Sequence, residues 1–248
     1  MANIALAPIK GVIVSEKSAL PTMRTISSVE IVKLLGEIKR NKRIKAVILE
    51  INSQGGTPFP CGEIAEAIKS INKPTVAWIR EVAASGGYWI ASAADSIVAG
   101  SLSLVGSVGV MSIRPDFSEL LKKIGVDVDA VASGIHKLSG LPFKPLTPEE
   151  KQEDRQRREE EIKAIQQSFL EEINGKRQLT EATIQEISSG KTYLGQEAKN
   201  LGLIDELGGK VEALEIAAKK ANIRRYTVID YTKKLERPRR WPLGRLIG

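Results

Sequence analysis

The alternation of strand-like and helix-like segments in the N-terminal half constrains this chain more than any other feature. Ile9 to Val14 and Ala46 to Ile51 are apolar runs of strand length, and their β-branched residues favour strands. Between them, Ser27 to Lys39 carries apolar residues at helical spacing. The order strand, helix, strand is that of a βαβ unit. We therefore predict an α/β fold with a mostly parallel sheet.

A second unit of the same kind follows directly. The turn Gln54-Gly55-Gly56 leads to a predicted helix over Gly62 to Ile71. Pro74 then opens the predicted strand Thr75 to Ile79, and a further helix starts near Ser85. Ligands of parallel α/β folds bind at the carboxyl ends of the strands. The glycine turn is therefore a candidate place for backbone amides that point into a site, although such a turn more often has no function.

The second half of the sequence is predicted to be largely helical. Thr147-Pro148-Glu149-Glu150 has the pattern of a capping box, and the charged helix that follows should run to about Asn174 with a solvated face. We predict one domain over residues 1–232 with a helical C-terminal extension, then a basic tail over residues 233–248. The other predicted elements are helices over Phe117 to Ile124, Thr180 to Gly190 and Lys210 to Ala221, and strands over Val126 to Ala132 and Leu203 to Leu207.

The composition limits the chemistry that is available. The 248 residues include one histidine, His136, and one cysteine, Cys61. One cysteine cannot form an intrachain disulfide, and these two residues are too few for a metal site with soft ligands. The glycine-rich segments lack the patterns that bind phosphates or dinucleotides. We therefore predict no metal and no cofactor, and we interpret Cys61 as a packing residue.

Ser85 has the surroundings that best suit a nucleophile. It lies in Val82-Ala83-Ala84-Ser85-Gly86-Gly87 at a predicted strand-to-helix turn, where small neighbours let a substrate backbone approach closely. The free amides at the start of a helix also stabilise a developing oxyanion. The structural alternative is a serine N-cap followed by close-packed glycines.

Lys137 is the candidate general base, since a histidine triad would have to be built around His136. It follows Ser85 by 52 residues, in the run Ser133-Gly134-Ile135-His136-Lys137. A lysine accepts a proton only in its neutral form, which requires burial and polar neighbours. Most loop lysines are exposed, and His136 is most simply a surface or packing residue. The residues alone leave the Ser-Lys dyad and the purely structural reading both open.

Five motifs in this order resemble the signal peptide peptidase A family, the Ser-Lys serine proteases of family S49. The resemblance covers most of the chain and implies a ClpP/crotonase-like fold of strand-turn-helix units. The motifs are Asn52-Ser53-Gln54-Gly55-Gly56, Ala83-Ala84-Ser85-Gly86-Gly87-Tyr88-Trp89-Ile90 followed by Ala93-Ala94-Asp95, Gly106-Ser107-Val108-Gly109-Val110, Ser133-Gly134-Ile135-His136-Lys137, and Leu201-Gly202-Leu203-Ile204-Asp205-Glu206-Leu207-Gly208.

The resemblance implies a role for each candidate residue. Ser85 would be the nucleophile and Lys137 the general base. Ser107 would hydrogen-bond the lysine and orient it, and the amides of Gly56 and Gly86 would form the oxyanion hole. The implied activity is that of a serine endopeptidase, which hydrolyses hydrophobic or unfolded peptides such as released signal peptides through an acyl-enzyme.

The chain departs from the family in two places. Gln54 stands where proline usually precedes the paired glycines, which bears on the oxyanion loop and not on the nucleophile. The family usually carries an N-terminal membrane anchor, whereas Met1 to Val14 lacks the features of a signal peptide and no later segment is apolar enough to span a membrane. We therefore expect the chain as given to be soluble.

Short family members assemble into a ring, here expected to be an octamer, whose sites take serine and lysine from neighbouring subunits.

The basic tail is a candidate contact with an anionic membrane surface or an acidic partner. Six basic residues against Glu236 give residues 233–248 a charge of +5 of the +7 carried by the whole chain. Pro238 and Pro242 interrupt any amphipathic helix there, so a solvated terminus is the alternative. The rest of the protein is close to neutral, and no nucleic-acid partner is predicted.

Two other classes of function remain open. An enzyme of the same fold can bind the carbonyl of a coenzyme A thioester with the two amides alone, but this leaves Ser85 and Lys137 unexplained. A non-enzymatic assembly or membrane-surface protein would have a vestigial dyad and a tail that binds acidic partners. Labelling of Ser85 by a serine-directed inhibitor separates the protease from the thioester enzyme.

Overall fold

The computed structural model describes residues 2–16, 24–138 and 140–236. These residues divide into two units. The first unit consists of the residues up to Val108 together with those from Phe169 onward, and the second consists of Gly109–Ser168. The first unit contains every strand of the described chain.

The described residues form ten strands, eight of them in one sheet. They are β1 (Ala2–Lys10), β2 (Val12–Val14), β3 (Thr25–Ser27), β4 (Ile44–Ser53), β5 (Thr75–Ala84), β6 (Ser96–Ala99), β7 (Leu104–Gly106), β8 (Thr192–Leu194), β9 (Glu206–Leu207) and β10 (Tyr226–Asp230). The order β10-β1-β4-β5-β6-β9 is parallel throughout. β7 runs parallel to the end of β5 and antiparallel to β8, while β2 and β3 form a small parallel sheet of their own.

Side chains cap the starts of several helices, and the sequence predicts the cap at Thr147. Ser27 accepts a hydrogen bond from the amide of Glu30, and Thr147 and Glu150 exchange the two bonds of the capping box. None of the helices in the described residues combines the length and hydropathy that a membrane span needs. They are α1 (Ser28–Arg40), α2 (Pro58–Lys69), α3 (Gly86–Ser92), α4 (Ser118–Lys123), α5 (Pro148–Arg177), α6 (Glu181–Ile187), α7 (Gly195–Asn200), α8 (Lys210–Lys220) and α9 (Thr232–Glu236), with a 3-10 helix at Ile135–Leu138.

The central strands are buried on both faces, as is usual in parallel sheets. One face packs against α1, α2 and α3 through a large apolar cluster that includes Ile9, Ile51 and Ile79. The other face packs against α8, whose Ala213 and Ala217 contact a smaller cluster. The continuous apolar runs that predicted the strands therefore serve two cores.

The strand β5 has two sets of partners, and this arrangement determines where the turns lie. Its first half pairs with β4 and β6, while its last residues, Val82 to Ala84, pair with β7. Ala83 also pairs with Ser53 near the end of β4. The strands β4, β5 and β7 thus end side by side, and the segments that follow them emerge at one edge of the sheet.

Two strand predictions need correction. The segment Val126 to Ala132 was expected to be a strand, but it forms no ladder, and Val131 is 93% exposed. Its alternating pattern fits a strand, yet no neighbouring strand offers backbone partners. The strand predicted over Ile9 to Val14 is broken at Gly11, whose φ of 99° turns the chain between β1 and β2.

Among the described residues of the second unit, the charged residue Asp154 is buried while several large apolar residues are exposed. Asp154 is buried and accepts hydrogen bonds from Arg157 at 3.1 Å and Arg158 at 2.9 Å. Burial alone would raise the pKa of the Asp154 carboxyl, but these arginines hold it below its usual value. By contrast, Met111 and Ile113 are about four-fifths exposed. This unit exposes a large apolar surface for its size.

Candidate active site

Ser85 lies in a strained turn between β5 and α3. Its φ of 53° and ψ of −127° are unusual for a residue with a side chain. The turn is held by the Ser85 amide, which donates to the Gly106 carbonyl at 2.8 Å, and by the amides of Tyr88 and Trp89, which donate to the Ser85 carbonyl. The Ser85 hydroxyl makes no hydrogen bond with any described residue, and the residue is partly exposed.

The Gly55-Gly56 turn packs directly against Ser85. Gly55 has a φ of 98°, and a Cβ there would lie 2.8 Å from the Gly86 nitrogen and 3.0 Å from the Ser85 Cβ. A Cβ on Gly56 would lie 1.9 Å from the Ile13 carbonyl oxygen. These contacts explain why the turn needs two glycines, since any side chain would separate it from Ser85 or from β2.

The same turn is fixed by hydrogen bonds from neighbouring segments. The Ile13 amide donates to the Gly55 carbonyl at 2.9 Å, and the Thr57 amide donates to the Ile13 carbonyl at 3.2 Å. Ser53 accepts from the Gly55 amide at 3.1 Å and donates to the Gly11 carbonyl at 2.7 Å. No local sequence pattern indicates this bracing, because the contacts join residues about forty positions apart along the chain.

Two unpaired amides lie close together beside Ser85. A Cβ built on Gly86 would lie 3.5 Å from the Gly56 nitrogen. Among the described residues, neither the Gly56 nor the Gly86 amide donates a hydrogen bond. Two adjacent unpaired N–H groups next to a strained serine can hold the oxygen of a carbonyl group as it gains negative charge.

Cys61 packs beneath this pair of amides. Its sulfur lies 2.2 Å from the position that a Gly86 Cβ would take, so residue 86 has to be glycine. Cys61 is fully buried, and burial raises the pKa of its thiol to about 12. The thiol therefore stays protonated at neutral pH, which agrees with a packing role.

We expect native Cys61 to resist alkylation. At pH 8, iodoacetamide should modify it at least about 10³-fold more slowly than in urea, because the thiolate is the reactive form and burial also blocks access. Intact mass measured over time checks this, with the urea-denatured chain as the control. Equal rates in the native and denatured protein would show that Cys61 is accessible and that its packing against Gly86 is wrong.

Ser107 occupies the position after β7 that Ser85 occupies after β5. Ala84 pairs with Gly106, so the two serines follow paired residues of neighbouring strands. Ser107 also has a positive φ, 51°, and its amide donates to the Lys191 carbonyl at 2.6 Å. The structure therefore places Ser85, Ser107 and the two glycine amides at the same edge of the sheet.

Lys137 belongs to the second unit. It lies in the 3-10 helix, where its amide donates to the Gly134 carbonyl at 3.0 Å, and its side chain is exposed in the single chain. His136, beside it, is exposed as well. The pairing of Lys137 with Ser85 stays a prediction.

Other residues of the five motifs brace the fold. Asp95 accepts hydrogen bonds from the amide and hydroxyl of Thr75, both at 2.9 Å. Asp205 accepts from the Ile97 amide at 2.7 Å and from Arg177 at 2.9 Å. These carboxylates link strand ends and helices that are distant in the sequence. Local sequence patterns therefore do not indicate these contacts.

The sequence is similar to that of known peptidases. The sequence profile of peptidase family S49 matches residues 67–224. Protease 4 of Haemophilus influenzae is 32% identical over 231 residues, which cover 92% of this chain and 36% of that protein. The chloroplastic serine protease SPPA of Arabidopsis thaliana is 32% identical over 238 residues, which cover 93% and 35%.

Solved structures show the same fold at lower sequence identity. The 1510-N membrane-bound stomatin-specific protease, in a variant complexed with a substrate peptide, is 16% identical with a TM-score of 0.58, over 92% of this chain and 91% of that one. A second structure of the 1510-N protease has a TM-score of 0.55 at 14% identity, over 92% and 97% of the two chains. The present chain spans 36% of the length of the Haemophilus protease, 35% of the Arabidopsis protease and 64% of a putative protease of Methanocaldococcus jannaschii, which is 32% identical over 202 residues.

Proposed function

Because this chain belongs to peptidase family S49, we propose that it is a serine endopeptidase that acts through an acyl-enzyme on Ser85. The observation that carries the proposal is the geometry at the end of β5. There a strained, partly exposed serine lies beside the unpaired amides of Gly56 and Gly86. The family membership gives this geometry its chemical meaning, and the family relatives are named as proteases.

The reaction begins with attack of the Ser85 oxygen on a peptide carbonyl carbon. The hydroxyl proton passes to the base, and the carbonyl oxygen becomes an oxyanion that the Gly56 and Gly86 amides stabilise. The tetrahedral intermediate collapses, the C–N bond breaks, and the protonated base returns its proton to the leaving amine. Water then attacks the ester on Ser85 by the reverse proton route and releases the acid product.

We assign the role of base to Lys137 and the role of orienting it to Ser107. The position of Ser107 beside Ser85 supports this assignment, because a hydroxyl there can accept from a lysine that approaches Ser85. The exposure of Lys137 in one chain suggests that a neighbouring subunit supplies the surroundings a lysine base needs. The second subunit would then complete each site.

The apolar surface of the second unit supports assembly. Met111, Ile113 and Val131 are 82%, 78% and 93% exposed, and several further apolar residues of this unit are exposed beside them in the sequence. Monomeric soluble proteins rarely leave so many large apolar side chains in water. We propose a closed ring of copies of this chain, an octamer, in which these residues are covered by neighbours.

The proposed substrates are unfolded or hydrophobic peptides such as released signal peptides. An extended polypeptide can place a carbonyl against the turn between β5 and α3, because its backbone is not enclosed in a folded core. The basic tail is proposed as a peripheral contact with anionic membranes, and its residues 237–248 lie outside the described part of the chain.

A substrate comparison tests this function against the thioester alternative. The purified protein should hydrolyse an unfolded, casein-like protein and a hydrophobic fluorogenic peptide, with little activity on acyl-coenzyme A thioesters. Peptide hydrolysis is expected because Ser85 supplies a nucleophile. The thioester enzyme of the same fold would need no nucleophile. Turnover of thioesters without any peptide hydrolysis would replace the protease by the thioester enzyme. Salt-sensitive binding to acidic partners without either activity would favour an assembly protein.

A further inference from the structure

A polar cleft lies at the carboxyl ends of β1, β4 and β5. On the sheet face that α8 covers, Ile48 and Val76 are buried against the helix. Further along the same strands, the alternating positions on that face carry Glu50 and Arg80. The cleft encloses about 500 Å³, and its polar lining consists of Lys10, Arg24, Asn52, Gln54, Arg80 and Glu81.

The Arg80 guanidinium group in this cleft has N–H donors that no described residue accepts. Glu50 is buried and is already paired with Lys10 at 2.7 Å. Arg80 reaches Glu50 only at 3.5 Å and Glu81 at 3.8 Å, and it donates no hydrogen bond to any described residue. Its side chain is half exposed. The planar guanidinium group thus keeps its N–H donors for a further acceptor, and a carboxylate matches it in a bidentate geometry.

The cleft adjoins the proposed active site. Gln54, at its rim, directly precedes Gly55, which packs against Ser85. Arg80 precedes Ser85 by five positions, four of them within β5, which corresponds to roughly 16 Å at the rise of an extended chain. A substrate in extended conformation covers that distance in about five residues. If the Arg80 side chain extends toward Ser85, the distance shortens and about three residues are enough.

We propose that this cleft is a substrate subsite for a carboxylate group, with Arg80 as its bidentate partner. The side-chain amides of Asn52 and Gln54 line the same cleft and offer further donors. The inference rests on the proposed function, because Ser85 defines where the substrate runs. The carboxylate comes either from an acidic side chain about three to five residues from the scissile bond or from the C-terminus of a short peptide.

The test uses matched peptides that differ by one group. One series places Glu or Gln at each of the five positions on either side of the scissile bond, and a second series compares free with amidated C-termini. We expect the wild-type protein to prefer the carboxylate at one position or at the terminus by about 5- to 20-fold in kcat/KM. Arg80→Gln should remove this preference, so that kcat/KM for the carboxylate peptide falls to about the value for its neutral counterpart. Arg43→Gln, at the opposite end of β4, is the matched control.

Binding separates this proposal from the proposed function. Fluorescence polarisation with the Ser85→Ala variant compares the Kd of the same peptides without any turnover. Tighter binding of the carboxylate peptide, lost in Ser85→Ala combined with Arg80→Gln, supports the subsite even if the wild-type protein hydrolyses nothing. Equal Kd and equal kcat/KM for all matched pairs would overturn the carboxylate subsite, and so would a preference that survives Arg80→Gln. Neither result bears on the proposed protease function, which is tested by hydrolysis of the neutral peptide.

Discussion

Replacing Ser85 by alanine is expected to lower kcat/KM for peptide hydrolysis by at least about 10³-fold. The variant loses the oxygen that forms the acyl-enzyme, while the amides of Gly56 and Gly86 remain. Its stability should change little, because alanine keeps the Cβ and the Ser85 hydroxyl has no hydrogen-bond partner among the described residues. The measurement is kcat/KM on a fluorogenic peptide together with the thermal unfolding midpoint.

Ser70→Ala serves as the matched control for this substitution. Ser70 is exposed at the end of α2, and its hydroxyl donates only to the Ala67 carbonyl. It should retain full activity. If Ser85→Ala kept the wild-type rate with an unchanged unfolding midpoint, Ser85 would not be the nucleophile, and the two-amide site would have to act on its substrate without covalent catalysis.

The second large effect concerns the partner of Ser85. Lys137→Ala alone should lower kcat/KM by about 10²- to 10⁴-fold, the usual contribution of a general base. When Lys137→Ala and Ser85→Ala subunits are mixed in equal amounts, a site shared between neighbours should recover roughly a quarter of the wild-type activity, because that fraction of interfaces joins an intact serine to an intact lysine. A site built within one subunit recovers nothing.

The mixing experiment needs proof that mixed oligomers form. Native mass spectrometry of the two variants with different tags supplies this proof. Lys123→Ala, an exposed lysine on α4 of the same unit, controls for the loss of a surface charge and should keep full activity. No recovery in verified mixed oligomers would restrict each site to one subunit.

The family and the fold class were predictable from the sequence because their signals are local and ordered along the chain. The apolar runs and caps placed β4, β5, α1 and α5, and the motif around Ser85 carried the resemblance that the family profile and the structural similarity confirm. The physical reason is that strand burial and helix capping depend on neighbours within a few residues.

Other features were not predictable because they depend on distant residues. Val126 to Ala132 has the alternation of a strand but no pairing partner, so the pattern gave a wrong prediction. The contact of Cys61 with Gly86 and the bracing of Gly55 by Ile13 join segments far apart in sequence. Burial of the Lys137 side chain, which a general base needs, also has no local signature, since it depends on what covers the second unit.

The most direct test of the central claim is covalent labelling of the nucleophile. The wild-type protein is treated with a biotinylated fluorophosphonate, digested and mapped by tandem mass spectrometry, in parallel with Ser85→Ala. We predict one modified residue, Ser85, whose labelling proceeds in step with the loss of peptide hydrolysis, and no label in the variant. Full peptide hydrolysis by a protein that carries the label, or a label that falls on a different residue and abolishes activity, would contradict the assignment of Ser85.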